Sequence, residues 1–106
     1  MLRPSRSGKP QMAVKIFIKR SIPQDKADQV MPLFQNLRSL AMDQPGYISG
    51  ETLHSLDSPG EIVIISTWQT VNEWQSWVAN KERLKIQNQI DMLLGENTRY
   101  EIYQYG

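Results

Sequence analysis

The sequence predicts an α+β domain of the ferredoxin-like kind, in the split βαβ order strand, helix, strand, strand, helix, strand, with four antiparallel strands in one sheet and the helices on one face of it. Three observations predict this. Two long stretches carry apolar residues at three- and four-residue steps, β-branched and aromatic runs lie between and around them, and clusters of Pro, Gly and Asp mark the places where one pattern gives way to the other.

Ala13 to Lys19 puts Val14, Ile16 and Ile18 on one face of a first strand, with Lys15 and Lys19 opposite. Ser21-Ile22-Pro23 followed by Asp25 and Asp28 starts a helix, because proline suits the first turn and acids suit the positive end of the dipole. That helix runs to about Met42 on an apolar face of Ala27, Val30, Phe34, Leu37 and Ala41. Pro32 lacks an amide proton and crowds the preceding turn, which demands either a kink there or a regular helix that begins near Met31. Gln44-Pro45-Gly46 stops the helix, and Tyr47 to Leu56 forms a second strand in which Gly50 would mark a bulge. Asp57-Ser58-Pro59-Gly60 is a turn, and Glu61 to Trp68 is the most β-prone run of the chain, so the two strands close an antiparallel hairpin.

Thr70-Val71-Asn72-Glu73 spells a capping box, in which the hydroxyl and the carboxylate satisfy each other's orphan amides. The helix it opens carries Trp74, Trp77 and Val78, hesitates near Asn80, and resumes through Leu84, Ile86, Ile90, Leu93 and Leu94 until Gly95 ends it. Arg99 to Tyr105 makes the last strand.

A chain of 106 residues holds one domain, which we place at residues 12–106 behind a flexible tail of residues 1–11. Arg3, Arg6 and Lys9 in that tail are too few to hold an anionic surface, and no apolar run there has the length of a secretory signal. With 40% hydrophobic and 22% charged residues and a net charge of +1, the composition is that of a soluble globular protein and argues against nucleic acid or membrane as partner. The absence of cysteine excludes disulfides, thiolate metal sites and cysteine nucleophiles, and a cytoplasmic location is the default. No HExxH, paired histidines, acidic cluster or Gly-rich phosphate loop is present, so neither a metal nor a nucleotide cofactor is expected.

Apolar side chains fall on both sheet faces: Phe17 lies opposite Ile16 and Ile18, and Val63 and Ile65 lie opposite Ile62 and Ile64. Helices cover only one face, so the simplest cover for the other is the sheet of a second copy, giving a homodimer around a shared barrel.

Gln44-Pro45-Gly46-Tyr47, the run ending in Ser66-Thr67-Trp68, and Asn72-Glu73-Trp74-Gln75-Ser76-Trp77 together resemble the antibiotic biosynthesis monooxygenase domain, over about residues 12–105. The resemblance implies a dimeric α+β barrel, and in its enzymatic members oxidation of phenolic or quinol-type molecules by molecular oxygen without metal or flavin. The related haem-degrading monooxygenases carry a histidine ten residues after the helix tryptophan and an asparagine on the first strand. Counting from Trp77 reaches Gln87, and no asparagine stands among Ile16 to Ile18. A carboxamide does not replace an imidazole on haem iron, so haem degradation is disfavoured.

His54, the one histidine, is the candidate base for proton abstraction from a phenol or quinol; the plain alternative is a strand histidine that is exposed or bonded to a carbonyl. Trp68, Trp74 and Trp77 are spaced by six and three residues and offer flat walls to a polycyclic ligand, with Tyr47 beside them, although tryptophans also serve simply as core. Trp77 matches the family's inward-pointing tryptophan. Asn72, Arg83 and Gln87 could donate hydrogen bonds to a carbonyl or a developing oxyanion, against the commoner reading of solvated helix polarity. These residues predict a monooxygenase acting on a small aromatic molecule. The rivals are a binding dimer without turnover and an isomerase or stress-responsive barrel protein of the same superfamily, which fold alone does not separate.

Overall fold

The computed structural model describes residues 12–105, so the tail expected at residues 1–11 lies outside the described residues. Strand β1 (Val14–Ser21) leads through a single 3-10 turn (Gln24–Lys26) into helix α1 (Ala27–Met42). Strands β2 (Tyr47–His54) and β3 (Glu61–Trp68) form the hairpin, helices α2 (Val71–Val78) and α3 (Lys81–Leu94) follow, and β4 (Glu101–Gln104) closes the fold. The sheet order is β2-β3-β1-β4 with every neighbouring pair antiparallel, the ferredoxin-like arrangement the sequence predicts.

Register decides which side chains meet the helices. Val14 pairs with Trp68, Ile16 with Ser66, Ile18 with Ile64 and Arg20 with Ile62, and paired residues share a face. On β2 the same face receives Tyr47, Gly50, Thr52 and His54. The opposite face carries Phe17, Val63, Ile65, Leu53 and Tyr103, with Phe17 and Tyr103 in edge-to-face contact at 5.3 Å. The bulge lies between Tyr47 and Ser49 and not at Gly50, which is regularly paired. Gly50 serves a different need: a Cβ there would stand 2.5 Å from the Tyr47 hydroxyl.

Helix α1 begins at Ala27 and runs through Pro32, so a regular start near Met31 does not hold. Proline removes only its own amide bond, and Pro32 lies on the exposed side of the helix. The predicted second helix is two. Asn80 is extended, and its Oδ1 accepts the Arg83 amide at 2.9 Å as the N-cap of α3. Gly95, at φ 71, closes α3 in the left-handed conformation. Only half of the predicted capping box forms: Thr70 Oγ1 accepts the Glu73 amide at 3.1 Å, while the Glu73 carboxylate accepts the Thr70 hydroxyl instead of the Thr70 amide. That carboxylate also lies over Gly46, whose φ of 86 and lack of a side chain allow the approach.

The core is two clusters. Val14, Ile16, Ala41, Trp68, Trp74 and Trp77 make one, and Ile22, Val30, Ile62 and Ile90 make the other. No helix among the described residues is long and apolar enough to cross a membrane.

Candidate functional site

Ile18 and Ile64 face each other in mid-sheet on the helix side, yet both are only half-buried, because a cavity of about 290 Å³ lies over them. Met31, Phe34, Leu37 and Ala41 form its α1 wall, and residues of both core clusters line it. The stretch of α1 that reads as a core stripe is therefore largely a cavity wall.

One end of the cavity is aromatic. Trp68 and Trp77 stack at 6.1 Å with their planes 24° apart, Tyr47 meets Trp68 edge-on at 5.4 Å, and Trp74 meets Tyr100 edge-on at 5.6 Å. Trp68 is fully buried and its indole N–H donates to Ser66 Oγ at 3.1 Å, which satisfies the one polar atom of that ring.

A polar network lies against the same space. Arg83, Gln87 and Asp91 follow one another at four-residue steps, so they share one stripe of α3. Arg83 donates to the Val78 carbonyl at 3.0 Å, to Gln87 Oε1 at 3.3 Å and to the Tyr100 hydroxyl. Gln87 Nε2 donates to Asp91 Oδ1 at 3.0 Å and to Thr98 Oγ1. Arg20, from the end of β1, donates to Asp91 Oδ1 at 3.2 Å, to the Glu96 carbonyl at 3.2 Å and to Thr98 Oγ1. Burial lowers the pKa of Arg83, with the negative charge of Asp91 opposing the shift. Burial alone would raise the Asp91 carboxyl, but hydrogen bonds from Thr98, Gln87 and Arg20 outweigh it and hold the group below its ordinary value.

Of the residues singled out from sequence, Tyr47, His54, Trp68, Trp74, Trp77, Arg83 and Gln87 all line this cavity. Asn72 does not: it is exposed in the first turn of α2 and is not part of the cavity lining. His54 lines the cavity from the end of β2 and is an exposed residue. Arg83 and Gln87 overturn their solvated reading, being 3% and 7% exposed, whereas Leu84, expected on the inner face, is 40% exposed. The break at Asn80 turns α3 so that Arg83, Gln87 and Ile90 face inward. Sequence reasoning missed Arg20, Thr98 and Tyr100, which also line the cavity. For Arg20 a signal existed, since it continues the inward alternation of Val14, Ile16 and Ile18. Among the described residues no group of three or more His, Asp or Glu side chains is placed to hold a metal ion.

The family profile described as antibiotic biosynthesis monooxygenase matches residues 13–89. No curated protein matches the sequence. Among solved structures, a conserved protein from Methanosarcina mazei Go1 superposes with a TM-score of 0.82 at 17% identity, covering 91% of this chain and 95% of that one. SnoaB, a cofactor-independent oxygenase from Streptomyces nogalater solved as a single-substitution variant, superposes with a TM-score of 0.72 at 15% identity, over 89% of this chain and 91% of its own. At such identities the likeness establishes the fold.

Proposed function

This chain belongs to the antibiotic biosynthesis monooxygenase family, and from that premise we propose that it is a cofactor-independent monooxygenase acting on a phenolic or quinol-type small molecule. The observation that carries the proposal is the cavity: a slot walled by stacked tryptophans that has a histidine and a buried guanidinium on its lining. His54 takes the phenolic proton, and the electron-rich anion that results donates an electron to dioxygen. A phenol and one dioxygen then become a quinone and one water. One oxygen atom enters the ring, the other leaves reduced, and the substrate supplies the electrons and both protons of the water. Arg83, held in place by Gln87, sets its positive charge against the negative charge that collects on the substrate, while Tyr47, Trp68, Trp74 and Trp77 hold the ring system flat and keep water from it.

The same reading includes a homodimer joined through the sheet faces. Phe17, Val63 and Ile65 are half-buried on the face away from the helices, and Leu53 and Tyr103 beside them are 49% and 56% exposed. An apolar patch of this kind, bordered on the same face by Lys15, Lys19, Glu51 and Glu101, is what a second sheet would cover.

Aerobic incubation with a panel of phenols and quinols tests the activity. Product should form faster than in buffer, and H54A should return the rate to background. Rates no faster than buffer across the panel would sink the proposal. The exposure of His54 favours a second reading, a binding dimer that holds such molecules without turnover. Panel members that bind without consuming oxygen would select it.

A further inference from the structure

The polar end of the cavity carries more positive charge than its own acids match. Arg83 is 3% exposed, bonds only neutral acceptors, and among the described residues meets no carboxylate at ion-pair distance. Its guanidinium lies 5.8 Å from the Trp77 ring centre and 5.5 Å from that of Tyr100. Arg20 is also 3% exposed and pairs with Asp91, but its Nε is buried without a hydrogen-bond partner among the described residues. Arg38 and Glu51 add one charge of each sign to the lining. Three guanidinium groups thus face two carboxylates, leaving one positive charge beside an apolar, aromatic-walled space. A buried cation without a counter-ion is costly, and an anionic ligand removes that cost.

We propose that the cavity takes a flat aromatic monocarboxylate, with its rings against the tryptophans and its carboxylate on Arg83, supported from behind by Arg20, Gln87 and Thr98. Arg83 has the donors for this, because a guanidinium carries five N–H groups and three bonds are made within the protein. The two that remain, on Nε and Nη1, can make charge-assisted bonds to a carboxylate, and a surplus of one charge suits a monoanion better than a phosphate dianion. The inference rests on the cavity of the preceding reading and specifies its substrate class as phenolic or quinol acids. It concerns binding alone, so it fails or stands independently of oxygen chemistry.

Calorimetric titration of the full chain with 2-naphthoate, 2-naphthamide and 2-naphthyl phosphate at low salt tests it. The acid should bind at least about tenfold more tightly than the amide of the same shape, and no more weakly than the phosphate. R83M should reduce the acid-to-amide ratio to about twofold or less, and R83K, which keeps the charge, should retain part of it. Equal affinity of wild-type protein for acid and amide would overturn the proposal, as would tighter binding of the phosphate or no binding of the acid at millimolar concentration. The wild-type comparison decides even where R83M does not fold. Oxygen uptake is not among the readouts, so failure of the oxygenase reading would leave this result intact.

Discussion

Replacing Asp91 by asparagine keeps the shape of the side chain and removes its charge. In the folded protein Asp91 Oδ1 accepts from Thr98 Oγ1 at 2.6 Å, Gln87 Nε2 at 3.0 Å and Arg20 Nη1 at 3.2 Å, and Oδ2 accepts the Thr98 amide at 3.3 Å. Asparagine retains one acceptor oxygen but turns an NH2 toward the Thr98 amide, so two donors oppose each other. It also leaves the Arg20 guanidinium, whose side chain is 1% exposed, without a counter-charge. Removing one partner of a buried pair costs about 3–5 kcal/mol. The Asp91 side chain is 19% exposed and one acceptor survives, so we take the low end, about 3 kcal/mol at neutral pH. Because the folded pKa lies below the ordinary 3.8, this stabilisation is present in full above 3.8 and is lost as pH falls from there through the folded value. Urea denaturation followed by tryptophan fluorescence should therefore show a gap between wild type and D91N that is constant from about pH 7 to 5 and narrows below about pH 4. A gap under about 1 kcal/mol at pH 7, or one that stays unchanged in acid, would refute the reasoning.

Three further outcomes are expected. G46A should lower stability by about 2 kcal/mol or more, read as a drop in Tm, because φ is 86 and the new Cβ would stand 2.4 Å from Glu73 Cδ. T70A should cost about 1 kcal/mol in urea by deleting the cap of α2, with T70S restoring most of it. I65E, on the apolar face away from the helices, should yield a monomer by sedimentation velocity where wild type sediments as a dimer, and a wild-type monomer would remove the dimer from the functional reading.

The fold was legible because its signals are local. The alternation at Val14 to Ile18, the β-branched run at Ile62 to Trp68, and the helical period from Ala27 to Ala41 each report a single element. The aromatic part of the site was legible for the same reason, since Trp74 and Trp77 share a face within one helix. The polar part was not. Arg83 and Gln87 look like ordinary surface residues until the turn at Asn80 sets the rotation of α3, and Thr98 and Tyr100 belong to an irregular stretch with no period to read. Arg20 reaches Asp91 across 71 positions of sequence, a contact that only the closed fold creates. Asn72 shows the converse error, a residue in a motif-bearing segment that the helix start turns outward.

The division of the core also bears on how the protein opens and closes. Two small apolar clusters, bridged by Leu37, border a space that leaves mid-sheet Ile18 and Ile64 only half-buried. Amide exchange in the empty protein should consequently report two separately opening units, with the centre of β3 exchanging sooner than the ends that each cluster clamps. A molecule seated in that space would act as a shared piece of interior, linking the units into one cooperative whole and slowing exchange at residues it never touches.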